Sequence, residues 1–149
     1  MTTIVVTGAG SKKQADTIVQ ACRFYLRKLG FRKRKRELEI YISFSNKQEE
    51  MGLCDFNNDF TFPEIDITIK KSLSEEERLQ TLAHELVHAK QFLRRQLRFS
   101  DHTNYWCGKP STNEEWETEA YLKEEQLYNE YINERAEQRA SHHSIQHIS

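Results

Sequence analysis

The chain contains no run of about 18 apolar residues, the length needed to cross a bilayer, so no transmembrane helix and no membrane partner are expected. It also contains no C-x-x-C pair. Its three cysteines, Cys22, Cys54 and Cys107, are odd in number and far apart. That argues against a disulfide framework and for reduced thiols in a cytoplasmic setting. The segment Met1 to Gly10 lacks a basic stretch followed by a long apolar core, so no secretory signal is expected there. Net charge is nearly absent too. With 22 Lys and Arg against 23 Asp and Glu, the balance of −1 excludes a global attraction to nucleic acid or to an acidic membrane surface. Gly8-Ala9-Gly10 is a turn, but the G-x-x-x-x-G-K-[ST] spacing of a phosphate loop is missing. There is no internal repeat and no interdomain linker. A chain of 149 residues fits one domain, expected over residues 1–140 with 141–149 as a flexible tail.

Against this plain background one stretch carries chemistry: His84-Glu85-Leu86-Val87-His88, an H-E-x-x-H motif. Residues four apart on a helix lie one turn above each other, with Cβ atoms about 5–6 Å apart. Two imidazoles at that spacing can reach one zinc ion. Glu85 lies between them in sequence and suits the role of base toward a water that the metal activates. A structural zinc site has no need of such a base. The motif sits on a well-specified helix. Leu79, Leu82, Ala83, Leu86, Ala89, Leu93 and Leu97 recur every three to four residues. Ser74 and Glu77 form a capping box, and Glu75, Glu76 and Glu77 suit the positive end of the helix dipole.

The rest of the chain predicts the frame around that helix. Strands are expected at 2–7, 37–44, 51–56 and 65–69, where apolar residues alternate with polar ones or β-branched residues cluster. Ser11 and Gln14 open a helix running to Leu29, which Gly30 ends. The motif helix is expected over about 75–97 and a loop or irregular hairpin over 98–111. A last long helix, capped by Thr112 and Glu115, should end between Arg135 and Ala140. The expected class is α+β: a small, twisted, mostly antiparallel sheet of three to four strands packed against an N-terminal helix, the motif helix and a C-terminal helix.

A catalytic zinc normally takes three protein ligands. A metzincin ending is excluded, because Gln91 and Arg94 stand where Gly and His would be required. His102, Cys107, Glu114, Glu115, Glu117 and Glu119 remain as candidates. Glu117 is favoured because Ala120, one turn on, leaves room for close packing of two helices. Glu119 is the alternative. It lies about 200° around the helix from Glu117, so the two cannot both be ligands.

The segments H-E-L-V-H-A-K-Q-F at 84–92, W-C-G-K at 106–109 and W-E-T-E-A at 116–120 resemble the small gluzincin-like metallopeptidases, which include minigluzincins and SprT-like or phage-encoded peptidase domains. The resemblance spans residues 37–122. It implies a zincin-like fold, one catalytic Zn2+ on His84, His88 and Glu117, Glu85 as general base, and a peptide or protein substrate added as a strand to the sheet edge formed by 51–56. Two positions depart from the pattern. Glu115 stands where many relatives have Pro. Tyr121 stands where larger gluzincins carry an Asp that supports a ligand His, which leaves that support unassigned. Tyr105, His102 and Tyr121 are candidate oxyanion donors. By the same resemblance, residues 132–149 are a candidate cover for the cleft.

Two further readings compete. A zinc-stabilised, non-catalytic module for protein binding or regulation would use the same ligands without Glu85. A DNA-associated role would use the basic cluster of Arg27, Lys28, Arg32, Lys33, Arg34, Lys35 and Arg36, which reads more simply as a solvated face. His142, His143 and His147 offer a second metal site but read more simply as part of a polar tail.

Overall fold

In the computed structural model of the chain, residues 2–31, 37–57 and 63–148 are described, with side chains through residue 141. Strict alternation shapes the main sheet. Leu38, Ile40, Ile42 and Phe44 all lie on one face of β2 (Leu38–Ser45), and Ile65, Ile67 and Ile69 on one face of β4 (Glu64–Lys70). These rows are buried, while their polar neighbours face outward. β1 (Thr2–Thr7) and β3 (Gly52–Asn57) complete the sheet in the order β1-β2-β4-β3. Helices α1 (Lys12–Leu29) and α2 (Glu75–Leu93) bury their apolar sides in the same core as these rows, and α3 (Glu115–Ile148) packs across both helices.

The α+β class is as expected. The expected mostly antiparallel pairing is not found in this sheet. β1 pairs with β2 and β2 with β4 in parallel, and only the β3–β4 pair is antiparallel. The reason is topological. α1 carries the chain back over the sheet between β1 and β2, which a parallel pair requires, and β3 is displaced to the outer edge beyond β4. Antiparallel pairing does govern the second, smaller sheet of β5 (Leu97–Ser100), β6 (Thr103–Trp106) and β7 (Lys109–Pro110), where an irregular hairpin was expected.

Local signals set the helix starts. The Ser74–Glu77 capping box forms in both directions, and Ser11 accepts from the Gln14 amide. Ends were less legible. α2 stops at Leu93, so Leu97 begins β5 instead of extending the helix. The Gln96 amide reaches back to the Gln91 carbonyl, with Arg95 left-handed at φ 56°. α3 is not capped by Thr112. Ser111 meets the Glu115 carboxylate, and the Glu117 and Thr118 amides bind the Glu114 carbonyl. The helix then continues to Ile148, past the expected end and into the residues expected as tail, since no Gly or Pro follows Pro110. The side chains of His142, His143 and His147 lie outside the described residues, as do Arg32 to Arg36 of the basic cluster.

Long-range bonds lock α2 into place. Arg78, at the head of the helix, donates to the carbonyls of Ala9 and Lys71 and lies 4.4 Å over the Phe44 ring. The Tyr25 hydroxyl donates to the Leu79 carbonyl. Ile67 sits at the centre of the core, 1% exposed. Ile67→Ala is expected to lower unfolding free energy by about 2–5 kcal/mol. Urea titration followed by circular dichroism checks this, and a loss well under 1 kcal/mol would contradict the core assignment.

Candidate active site

α2 is buried on nearly every side, and its polar residues must therefore find partners. His84, Glu85 and His88 face a cleft of 530 Å³ walled by β3 on one side and by Trp116, Glu117, Tyr121 and Glu124 of α3 on the other. α3 packs against α2 with Ala120 fully buried, and Glu117 lies beside the two histidines. His84 Nε2 and His88 Nε2 are 3.1 Å apart. Glu117 Oε2 lies 3.5 Å from His84 Nε2, and Oε1 lies 2.5 Å from His88 Nε2. Among the described residues, this is the group of His, Cys, Asp and Glu side chains whose ligand atoms converge closely enough to hold one metal ion.

The proton inventory of this group follows from its outer partners. The Gln91 amide nitrogen donates to the Trp116 carbonyl at 3.0 Å and to Glu119 Oε1 at 3.2 Å, both pure acceptors. The Gln91 oxygen must then face His88, and His88 Nδ1, at 2.8 Å, must carry the proton it donates. His84 Nδ1 faces Glu124 Oε1 at 2.9 Å, so it too is the protonated nitrogen. In the neutral rings both Nε2 atoms then present lone pairs toward each other and toward the Glu117 carboxylate. With both rings neutral, three acceptors converge, an arrangement that a shared proton or a metal cation satisfies. Donors around a tetrahedral zinc at about 2.0–2.1 Å lie roughly 3.3 Å from one another, close to the spacings to His84. The donor set of two imidazoles and a carboxylate thus fits zinc.

Electrostatics set the two rings apart. Burial lowers the pKa of His88 below the ordinary value, against the opposing pull of Gln91 and Glu117, which favours the neutral ring. Burial also disfavours charge on His84. There the hydrogen bond to Glu124 and the charges of Glu85, Glu117 and Glu124 outweigh it and raise the pKa. Burial pushes Glu85 up to about 7.

The other expected candidates are placed elsewhere. Glu119 holds Gln91 and pairs with Lys123. His102 occupies the β5–β6 turn, Cys107 is exposed in the β6–β7 turn, and Glu114 and Glu115 start α3. Of Tyr105, His102 and Tyr121, only Tyr121 lines the cleft, with its ring 4.7 Å from that of His84. No described residue after Glu124 lines the cleft, which leaves the expected cover by residues 132–149 without support.

Three contributors escaped sequence reading. Gln91 and Glu124 orient the histidines. A polar residue one turn after His88, and a Glu two turns after Glu117, were the available signals. Gly52 is the third. A Cβ there would stand 2.5 Å from Thr81 Cγ2 and 3.0 Å from Glu85 Oε1, so the bare edge of β3 passes directly over the Glu85 carboxylate.

Removing the Gln91 amide frees the His88 ring to rotate and to change tautomer. Gln91→Leu is expected to weaken zinc affinity about 10–100-fold, as read by competition with a chromophoric chelator, and unchanged affinity would deny Gln91 this role. No protein-family profile, curated protein or solved structure matches the chain.

Proposed function

We propose that the chain is a zinc-dependent peptidase with a zincin-like fold, in which His84, His88 and Glu117 hold one Zn2+ and Glu85 is the general base. One observation carries this reading. Beside the convergent donor set lies a carboxylate outside it, in the same cleft and under an open strand edge. A purely structural metal site has no use for that second carboxylate, which weighs against the non-catalytic alternative.

Zinc bound there would supply Lewis acidity, polarising the scissile carbonyl and making water acidic enough to give up a proton near neutral pH. Glu85 takes that proton as the water oxygen bonds to the carbonyl carbon. It then returns the proton to the amine as the C–N bond breaks, so acid and base work balance on one residue. Tyr121 is assigned to the developing oxyanion as a hydrogen-bond donor. The substrate backbone adds to β3 as an extended strand.

The DNA-associated reading has less support. Arg27 pairs with Glu134 at 3.2 Å and Lys28 lies 4.0 Å from Glu130, so the described part of the basic cluster faces α3. Among the described residues no helix is long and apolar enough to cross a membrane. A cytoplasmic setting, with the three free cysteines kept reduced, remains part of the proposal.

Elemental analysis of zinc-repleted protein tests the site. Wild type and Glu85→Gln should retain zinc, Glu119→Ala should bind it more weakly, and Glu117→Ala should lose it. Glu85→Gln should slow peptide cleavage by about 10²–10⁴ while keeping its metal. Cleavage at the wild-type rate by zinc-loaded Glu85→Gln would remove Glu85 from the mechanism. Gly52→Ala should keep zinc yet slow hydrolysis, because the added methyl group displaces the Glu85 carboxylate.

A further inference from the structure

The cleft does not end at the metal site. It continues along β3 into a second cavity of 510 Å³, and the two share Cys54, Phe92 and Leu97. Among the described residues no strand pairs with the outer side of β3 above this groove. The Lys70 amide donates to the Met51 carbonyl, which makes these two a hydrogen-bonded pair of the antiparallel ladder. Pairs alternate in such a ladder. Leu53 and Asp55 therefore bond to β4, while the N–H and C=O groups of Gly52, Cys54 and Phe56 point to the free side. Gly52 lies over Glu85, and Phe56 lies beside the second cavity. The stacked rings of Phe56 and Phe92 form one wall, and Phe99, 65% exposed, forms another.

Charge differs between the two ends. The metal end carries Glu50, Glu85, Glu117 and Glu124. The far end carries Arg95 and Arg98 against the single carboxylate of Asp55. Arg95 stands at a left-handed helix-ending position, φ 56°, where glycine is the favoured residue. Arginine there gains nothing for the helix end, and its side chain lines the cavity.

Resting on the peptidase reading above, we propose that this second cavity is a specificity site for an acidic side chain of the substrate, held by Arg95 and Arg98. An extended peptide pairs more stably with β3 when antiparallel. It then runs opposite to the strand, and the cavity receives residues N-terminal to the scissile bond. Gly52 and Cys54–Phe56 are two to four positions apart, about 7–13 Å of strand, so the acidic residue lies about two to four positions before the cleaved bond.

The test uses zinc-loaded full-length protein and a peptide library carrying Glu, Gln or Lys at those positions, with cleavage products read by mass spectrometry. Glu is expected to be preferred over Lys roughly 3–10-fold in kcat/KM, the range of one or two partly exposed ion pairs. The double variant Arg95→Glu with Arg98→Glu should invert the preference, and Arg95→Lys with Arg98→Lys should keep its sign. Arg95→Gly should raise Tm while weakening the preference, a combination that a purely structural arginine would not produce. Cleavage indifferent to charge at these positions, or a preference that survives charge reversal, overturns the specificity site and leaves the peptidase reading standing. If no peptide is cleaved, the peptidase reading fails. The cavity is then judged by fluorescence anisotropy of the same peptides on Glu85→Gln protein. Tighter binding of the Glu peptides, lost on charge reversal, supports the site, and equal binding of all three overturns it.

Discussion

The buried amide of Gln91 is the joint on which the site depends. Its nitrogen is tied to the Trp116 carbonyl and to Glu119 of α3, and its oxygen is tied to His88 of α2. One side chain therefore joins the two helices that supply the converging donors and also decides which nitrogen of His88 carries its proton. Burial makes the joint strict. Gln91 is fully inaccessible, so an amide turned the wrong way would leave a donor facing a donor, with no water to relieve the mismatch.

The fold is organised around α2 in the same spirit. A helix enclosed by the sheet and by α3 would normally be apolar all round. This one buries Arg78, Thr81, Glu85, His88 and Gln91 as well. Two of the Arg78 nitrogens donate to loop carbonyls, its guanidinium lies over the Phe44 ring, and its buried Nε has no hydrogen-bond partner among the described residues, while His88 and Gln91 bond each other. Glu85 instead faces the cleft, where its raised pKa records the desolvation. The helix thus divides its polar residues between anchoring it at one end and furnishing a site at its middle, with β3 laid so closely over Thr81 and Glu85 that a side chain at position 52 would displace them.

What is legible in the chain depends on how far each physical constraint reaches. Alternation in residues 38–44 and 65–69, the Ser74–Glu77 box and the i, i+4 spacing of His84 and His88 act within one or two turns, and each was legible. Strand direction was not, because an alternating pattern reads the same in both directions and the parallel β1–β2 pair depends on where α1 carries the chain. The end of α3 was misread because its polar C-terminal third carries neither a stop signal nor a clear apolar stripe.

Sequence alone determined that two histidines and a glutamate would share one helix neighbourhood, because helical geometry brings residues four apart together wherever the helix lies. It also narrowed the third donor to a short glutamate-rich segment. Tertiary structure decided which glutamate converges and which supports. Glu117 meets both rings, Glu119 takes the amide of Gln91, and Glu124 takes Nδ1 of His84. These partners are 28 to 40 residues apart along the chain. No local periodicity links them. Only the packing of α3 against α2, with Ala120 fully buried, gives each carboxylate its partner.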